Sequence, residues 1–189
     1  MKREFHLACP HCGQLRKLHQ DNIDDFYQAH VSRCLVGIAS SMFNEIRVTG
    51  RILLRLFDPA GDLKDVRLTS NLVVDAGKAL IIDRLQGVSG PPAVPDYQAI
   101  GTGSTAAAAG DTALGTEIGT RVQGALTQPT ALTDRLISTF VAGNGTGAIT
   151  ESGRLNAATV GVLLARQVFS VVTKAAGDSL QIQHDIVIS

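Results

Sequence analysis

From residue 46 onward the chain follows a two-residue hydrophobic rhythm. Ile46, Val48, Gly50, Ile52, Leu54 and Leu56 alternate with Arg47, Thr49, Arg51, Leu53, Arg55 and Phe57. That spacing predicts a long strand with one apolar and one mostly basic face. Asp58-Pro-Ala-Gly61 places proline at the second position of a turn, and residues 63–68 return as the second strand of a hairpin. Residues 119–127 and 132–141 read as two more strands, followed by the glycine-rich exit Gly143-Asn-Gly-Thr-Gly147. At the end of the chain, residues 162–171 alternate in the same way. Leu180, Ile182, His184, Ile186 and Ile188 alternate with Gln181, Gln183, Asp185 and Val187. The turn Ala175-Ala-Gly-Asp178 lies between them, with Gly177 suited to a positive φ. The pattern predicts a long antiparallel hairpin over residues 162–189, around which the chain is organised.

One stretch departs from this rhythm. Asp75 reads as an N-cap, Leu80, Ile81 and Leu85 form an apolar stripe, and Gly87 suits a C′ position. A single helix over residues 76–86 follows, then an exposed glycine- and proline-rich loop over residues 87–96. Residues 42–189 are therefore expected to be mainly β, an antiparallel β-sandwich with one short helix.

Residues 1–41 have a different character. Cys9-Pro-His-Cys12 is a knuckle, and His30-Val-Ser-Arg-Cys34 places a histidine and a cysteine four apart. Ile23, Phe26, Tyr27, His30, Val31 and Cys34 recur at helical spacing, so His30 and Cys34 share a helix face. Cys9, Cys12, His30 and Cys34 together make a tetrahedral Zn²⁺ set, and a bound ion would supply much of the folding energy of so small a module. The bland alternative is that the thiols are buried small apolar groups. This region is expected to be a small zinc-finger-like α+β module.

Charge narrows the choice of partners. Seventeen basic residues balance seventeen acidic ones, and residues 1–41 hold five Lys/Arg against four Asp/Glu. No basic tail offers itself to nucleic acid. Asp24 and Asp25 near the start of the finger helix would repel phosphate, so protein contact is the better reading there. With no long apolar run and no signal-peptide core, a soluble protein without membrane contact is expected. Three cysteines confined to residues 9–34 fit synthesis in a reducing compartment.

No catalytic set emerges. His184 and Asp185 are strand neighbours facing opposite sides, and Glu151 reads as a structural ion-pair partner of Arg154 and Arg166. Gly101-Thr-Gly103 lacks the further residues of a phosphate loop and reads as a tight turn. Arg47, Arg51 and Arg55 either meet an acidic partner or form an outer face paired with carboxylates on the next strand. Residues 162–171 are apolar on both sides, including Phe169 and Val171. A second apolar face needs a cover. One short helix cannot provide all of it, which points to other copies of the chain and to a homo-oligomer, with a trimer expected.

Five motifs in order carry a resemblance. They are Asn71-Leu-Val-Val-Asp-Ala-Gly-Lys78, Ala99-Ile-Gly-Thr-Gly-Ser-Thr105, Asp111-Thr-Ala-Leu-Gly-Thr-Glu117, Ile149-Thr-Glu-Ser-Gly-Arg-Leu155 and Leu164-Ala-Arg-Gln-Val-Phe169. Over residues 43–189 this set resembles a family of tailed-bacteriophage structural proteins. The resemblance implies a non-enzymatic β-rich virion component present in many copies, made in the host cytoplasm. Its station would be capsid decoration, as a cement protein on the major capsid protein, or the tail, baseplate or fibre. Arg154 stands where the family tends to have an apolar residue, and residues 1–41 lie outside the pattern. The alternative of another class is an intracellular zinc-finger adaptor that binds nucleic acid or a host protein.

Overall fold

The structure, a computed structural model, describes residues 4–8, 15–19, 46–86, 90 and 92–189. Strands β1 (Glu4–Ala8) and β2 (Leu15–His19) pair as an antiparallel hairpin with Ala8 opposite Leu15. The rest is built from β3 (Val48–Phe57), β4 (Leu63–Val73), α1 (Asp75–Leu85), β5 (Tyr97–Gly101), β6 (Glu117–Gln123), β7 (Ala125–Thr130), β8 (Thr133–Phe140), β9 (Gly147–Leu155), β10 (Leu163–Lys174) and β11 (Ser179–Ile188). The fold is mainly β, with one short helix among the described residues. No helix among them is long and apolar enough to cross a membrane.

The expected two-sheet sandwich is instead one antiparallel sheet of nine strands, ordered β6-β5-β9-β10-β4-β3-β11-β8-β7. The two edge strands, β6 and β7, follow each other in the chain with only Gly124 between them. The sheet must therefore curl until its edges approach at that point. Residues 119–127, read as one strand, are two strands bent at Gly124. A Cβ on Gly124 would lie 2.3 Å from Ser138 Oγ, and its N–H donates to the Asp96 carbonyl at 2.8 Å. At the seam between the two halves, β10 and β4 share only the pairs Ala165–Val73 and Arg166–Leu72.

Curling turns one face of the sheet into a core. Ile52, Leu54 and Leu56 of β3 meet Leu180 and Ile182 of β11, Phe140 of β8, and Ile100, Ile149 and Val172 from the other half. These are the inward positions of the two-residue rhythm, and the hydrophobic effect holds the halves together.

The hairpin expected over residues 162–189 does not form. β10 pairs with β9 and β4, whereas β11 lies between β3 and β8. Residues 175–178 therefore make an arch across the core, closed by a backbone bond from Asp178 N–H to the Ala175 carbonyl at 3.1 Å. Asp178 fastens it, accepting from Lys64 Nζ at 2.6 Å and Ala175 N–H at 2.9 Å. Gly177 does not take a positive φ. It serves close approach, because a Cβ there would stand 2.9 Å from Pro59 Cγ.

The helix begins one residue before the expected bounds. Val74 is its N-cap and has no side-chain cap bond. Asp75 lies in the first turn, and its N–H donates to the Ala109 carbonyl at 2.8 Å, so tertiary backbone satisfies an N-terminal donor that a capping side chain would otherwise take. Gly77 is pressed onto β10, where a Cβ would come within 2.1 Å of the Leu164 carbonyl oxygen. The helix thus covers one face of residues 163–166, and Leu114, carried by the loop after β5, packs with Leu163. The second apolar face of β10 is covered at this end by its own chain. Further along, a register shift between Val168 and Val172 turns Phe169 against the core and leaves Val171 exposed.

Candidate functional site

The best-organised polar group is built around Glu151. β9 places it opposite Gly101 of β5 and Val168 of β10, and it is fully buried. Gly103 N–H donates to Oε1 at 2.9 Å, Thr116 N–H to Oε1 at 2.7 Å and Gly115 N–H to Oε2 at 2.9 Å. Arg166 Nε adds a charge-assisted bond to Oε2 at 2.9 Å. Arg166 also reaches Asp111 Oδ2 at 2.7 Å and the Thr105 carbonyl at 3.0 Å. A single carboxylate therefore gathers the whole loop over residues 102–116. The Gly101-Thr-Gly103 motif finds its reason here, since a Cβ at Gly103 would fall 2.4 Å from Glu151 Oε1. The glycines hold a protein carboxylate, not a phosphate.

Burial pushes the Glu151 carboxyl up, but the Thr116 and Gly115 N–H groups, Arg166 and the Gly103 N–H outweigh it. The net pKa lies below the ordinary carboxylate range. Burial likewise works against the Arg166 cation, and Asp111 and Glu151 more than restore it, so its pKa is raised. Glu151 is thus an anion with its acceptor sites filled by the chain's own donors. Such a group locks structure and has no proton to exchange at neutral pH.

Arg154 is not a partner of Glu151, because the two residues lie on opposite faces of β9. It is fully buried, donating from Nε to the Pro95 carbonyl at 2.6 Å and from Nη2 to Asp134 Oδ2 at 2.6 Å. Nη1 has no hydrogen-bond partner. The buried Arg154 cation is met by Asp134, which nothing in the sequence singled out.

His184 and Asp185 face opposite sides, as expected. His184 is fully buried and bonded through Nε2 to the Asn71 side chain. Burial, and then the Arg154 charge, hold its pKa well below 6.5, so it is neutral. The sign of the pH effect follows. As pH falls below about 6.5 the unfolded chain takes up the proton first, and stability drops by up to about 1.4 kcal/mol per pH unit. We expect the denaturation midpoint to fall between pH 7 and pH 5, and the fall to be smaller by that amount in His184→Gln. Equal pH slopes for the two proteins would count against this assignment. The carboxylates with lowered pKa, Glu151, Asp111 and Asp178, lose their contribution only at lower pH.

Asp185 accepts from Arg51 Nε at 3.3 Å and from Arg135 Nε and Nη2, both at 2.8 Å. Arg51 is 1% exposed and Asp185 0%. Arg51 of β3 is therefore paired with a carboxylate on a neighbouring strand, as one of the two readings held, but it is buried and not part of a solvated face. Arg55 donates to Gln181 Oε1 at 3.2 Å, and Arg47 is exposed, its backbone paired with Ser189. Of the expected interface residues, Phe169 is half-buried against the core, and Val171 is 51% exposed. Cys9, Cys12, His30 and Cys34 lie outside the described residues. Among the described ones no group of three His, Cys, Asp or Glu is placed to hold a metal ion.

An apolar groove of about 620 Å³ runs between α1 and the β7–β8 hairpin, with Leu85, Val94, Leu126, Leu132 and Ile188 on its walls and Arg154 at its floor. No protein-family model, curated protein or solved structure matches this chain.

Proposed function

We propose that this chain is a non-enzymatic structural protein of a bacteriophage virion, a decoration or cement protein that self-associates as a trimer and docks on the capsid. What supports the reading is the way the five motifs of the resemblance meet one another. Asn71 bonds His184, Gly77 seats on Leu164, and Gly103, Gly115, Thr116 and Arg166 converge on Glu151. Residues that carry the resemblance are residues that fix the fold, and that is where shared ancestry would leave its trace. The exposed apolar side chains Val141, 59% exposed, and Val171, 51% exposed, suit a contact between copies.

The test is an inventory of purified particles by mass spectrometry. Hundreds of copies per particle are expected, a handful would place the protein in the tail, and none would overturn the reading. Val171→Asp is the informative interface variant, expected to keep the fold while losing self-association and particle binding. Phe169→Asp would damage the core itself, because Phe169 packs against it. A wild-type chain that is monomeric at micromolar concentration yet binds particles would exclude the oligomer.

For the N-terminal module we propose one structural Zn²⁺ on Cys9, Cys12, His30 and Cys34. What supports this reading is the spacing: Cys9 and Cys12 stand three residues apart and His30 and Cys34 four apart, which suits a zinc knuckle with two further ligands. Metal analysis should return one zinc per chain, and Cys34→Ser should abolish it without changing the thermal transition of residues 46–189. Zinc-free native protein would remove the assignment.

A further inference from the structure

A cyclic trimer cannot be built on one self-complementary patch. Each of its contacts joins two different surfaces of the chain, and the same pair of surfaces repeats until the ring closes. Two apolar features among the described residues meet that condition, one a groove and the other a projecting side chain.

Ten large apolar side chains are exposed among the described residues. Five of them, Leu85, Val94, Leu126, Leu132 and Ile188, line the groove of about 620 Å³ between α1 and the β7–β8 hairpin. Exposed apolar groups scattered singly need no explanation, but a concentration of this kind marks a contact site.

The most exposed of the ten, Val160 at 85%, lies in the β9–β10 connection. Its φ is 57°, in the left-handed region that a β-branched residue rarely adopts. The connection is closed at its base by Asn156, which bonds Val162 through its backbone N–H at 3.2 Å and through Oδ1 at 2.6 Å. Arg121 then clamps it, donating from Nη1 to the Ala157 carbonyl at 3.1 Å and the Val160 carbonyl at 2.5 Å. Glu117 fixes that guanidinium with two bonds of 2.8 and 2.9 Å. Backbone strain persists only where the surroundings impose it, and it gathers at functional positions. Here a fastened loop holds an apolar side chain out in water, with no burial gained within the fold. Residues 157–161 read Ala-Ala-Thr-Val-Gly, without charge and with one large side chain. Such a loop is narrow and suited to apolar walls.

We propose, resting on the trimer reading, that Val160 of each copy seats in the α1/β7–β8 groove of the next copy and so closes the ring. At 85% exposure Val160 does not occupy the groove of its own chain. Docking removes apolar surface of both features from water. The loop is already fastened in one conformation, so it loses little freedom on binding. This contact is additional to the one through Val171.

The test is sedimentation equilibrium of the full chain over a rising concentration series. The wild type should be a trimer, and Val160→Asp and Leu132→Asp should each be a monomer. Aspartate enters the left-handed region more readily than valine, so Val160→Asp should fold normally. Leu126→Asp serves as the groove variant if Leu132→Asp folds poorly. An equimolar mixture of the knob variant and the groove variant should form a one-to-one dimer, because one retains the groove and the other retains Val160. A self-complementary contact could not give that result. A trimeric Val160→Asp, or a mixture that associates no more than its components, would overturn this contact while leaving the trimer reading intact. A monomeric wild type would instead overturn the trimer reading and this contact with it.

Discussion

Replacing Glu151 with alanine is expected to destabilise the β domain by about 3–5 kcal/mol, the usual consequence of removing one partner of a buried ion pair. In a domain whose total stability is of the order of 5–15 kcal/mol, that is enough to unfold much of the protein near physiological temperature. Arg166 would keep Asp111 but lose the carboxylate beneath it, and the N–H groups of Gly103, Gly115 and Thr116 would lose their acceptor. Each buried donor so orphaned costs about 1–3 kcal/mol, offset where water enters the vacated space. Glu151→Gln separates the two contributions. The amide keeps one acceptor oxygen but presents an NH₂ to donors, so it should recover only a small part of the loss. Denaturant titration gives the values, and hydrogen exchange gives the location, with loop residues 102–116 losing protection first. A variant within about 1 kcal/mol of the wild type would show that the loop is held by its apolar contacts instead.

Asp185→Ala should produce a loss of similar size, about 3 kcal/mol or more, through a different part of the sheet. Its carboxylate sits between Arg51 of β3 and Arg135 of β8, with all three side chains at most 11% exposed. Removing it leaves two guanidiniums near each other without the anion that relates them. The pair holds the register of three adjacent strands, with Arg51 and Arg135 both directly opposite Asp185. A triple variant with Leu at positions 51, 135 and 185 is expected to regain much of the loss, since well-packed apolar groups often replace buried ions at little net cost. If the single variant melts with the wild type, the cluster carries no net stability. Glu151 and Asp185 are remote in the sheet, so their losses should add.

These two residues also show where sequence reading reaches its limit. Glu151 was recognisable as a structural carboxylate, and Arg166 as one of two candidate partners, because it is a lone carboxylate with two arginines near it in the sequence. Its three backbone donors were not recognisable. A backbone N–H carries no residue-specific signal, and those donors lie up to 48 positions away. Arg154 looked equally suited to Glu151 by proximity in sequence, but strand parity sends it to the other face and to Asp134. The arginines of β3 were legible as a row on one face. Whether that row met solvent, a partner or a carboxylate depended on which strand lay alongside.

Though it did not mark β9 as a strand, the sequence alone determined that the segments of β3, β4, β8, β10 and β11 are extended, which segment is helical, and which positions of β3 and β11 point inward. Those properties follow from periodicity within a few residues and from turn chemistry, both local. Tertiary structure alone decided the neighbours. The arch between β10 and β11 has the turn residues and the alternation of a hairpin, and a two-residue rhythm specifies the face of a strand but not its partner. The choice went to the arrangement that buries Val172 and Leu180 in one core inside the curled sheet. It also places Asp178 under Lys64 and lets Gly124 bring the two edges of the sheet together. Each of those gains depends on contacts between residues far apart in the chain, so no short window of sequence contains them.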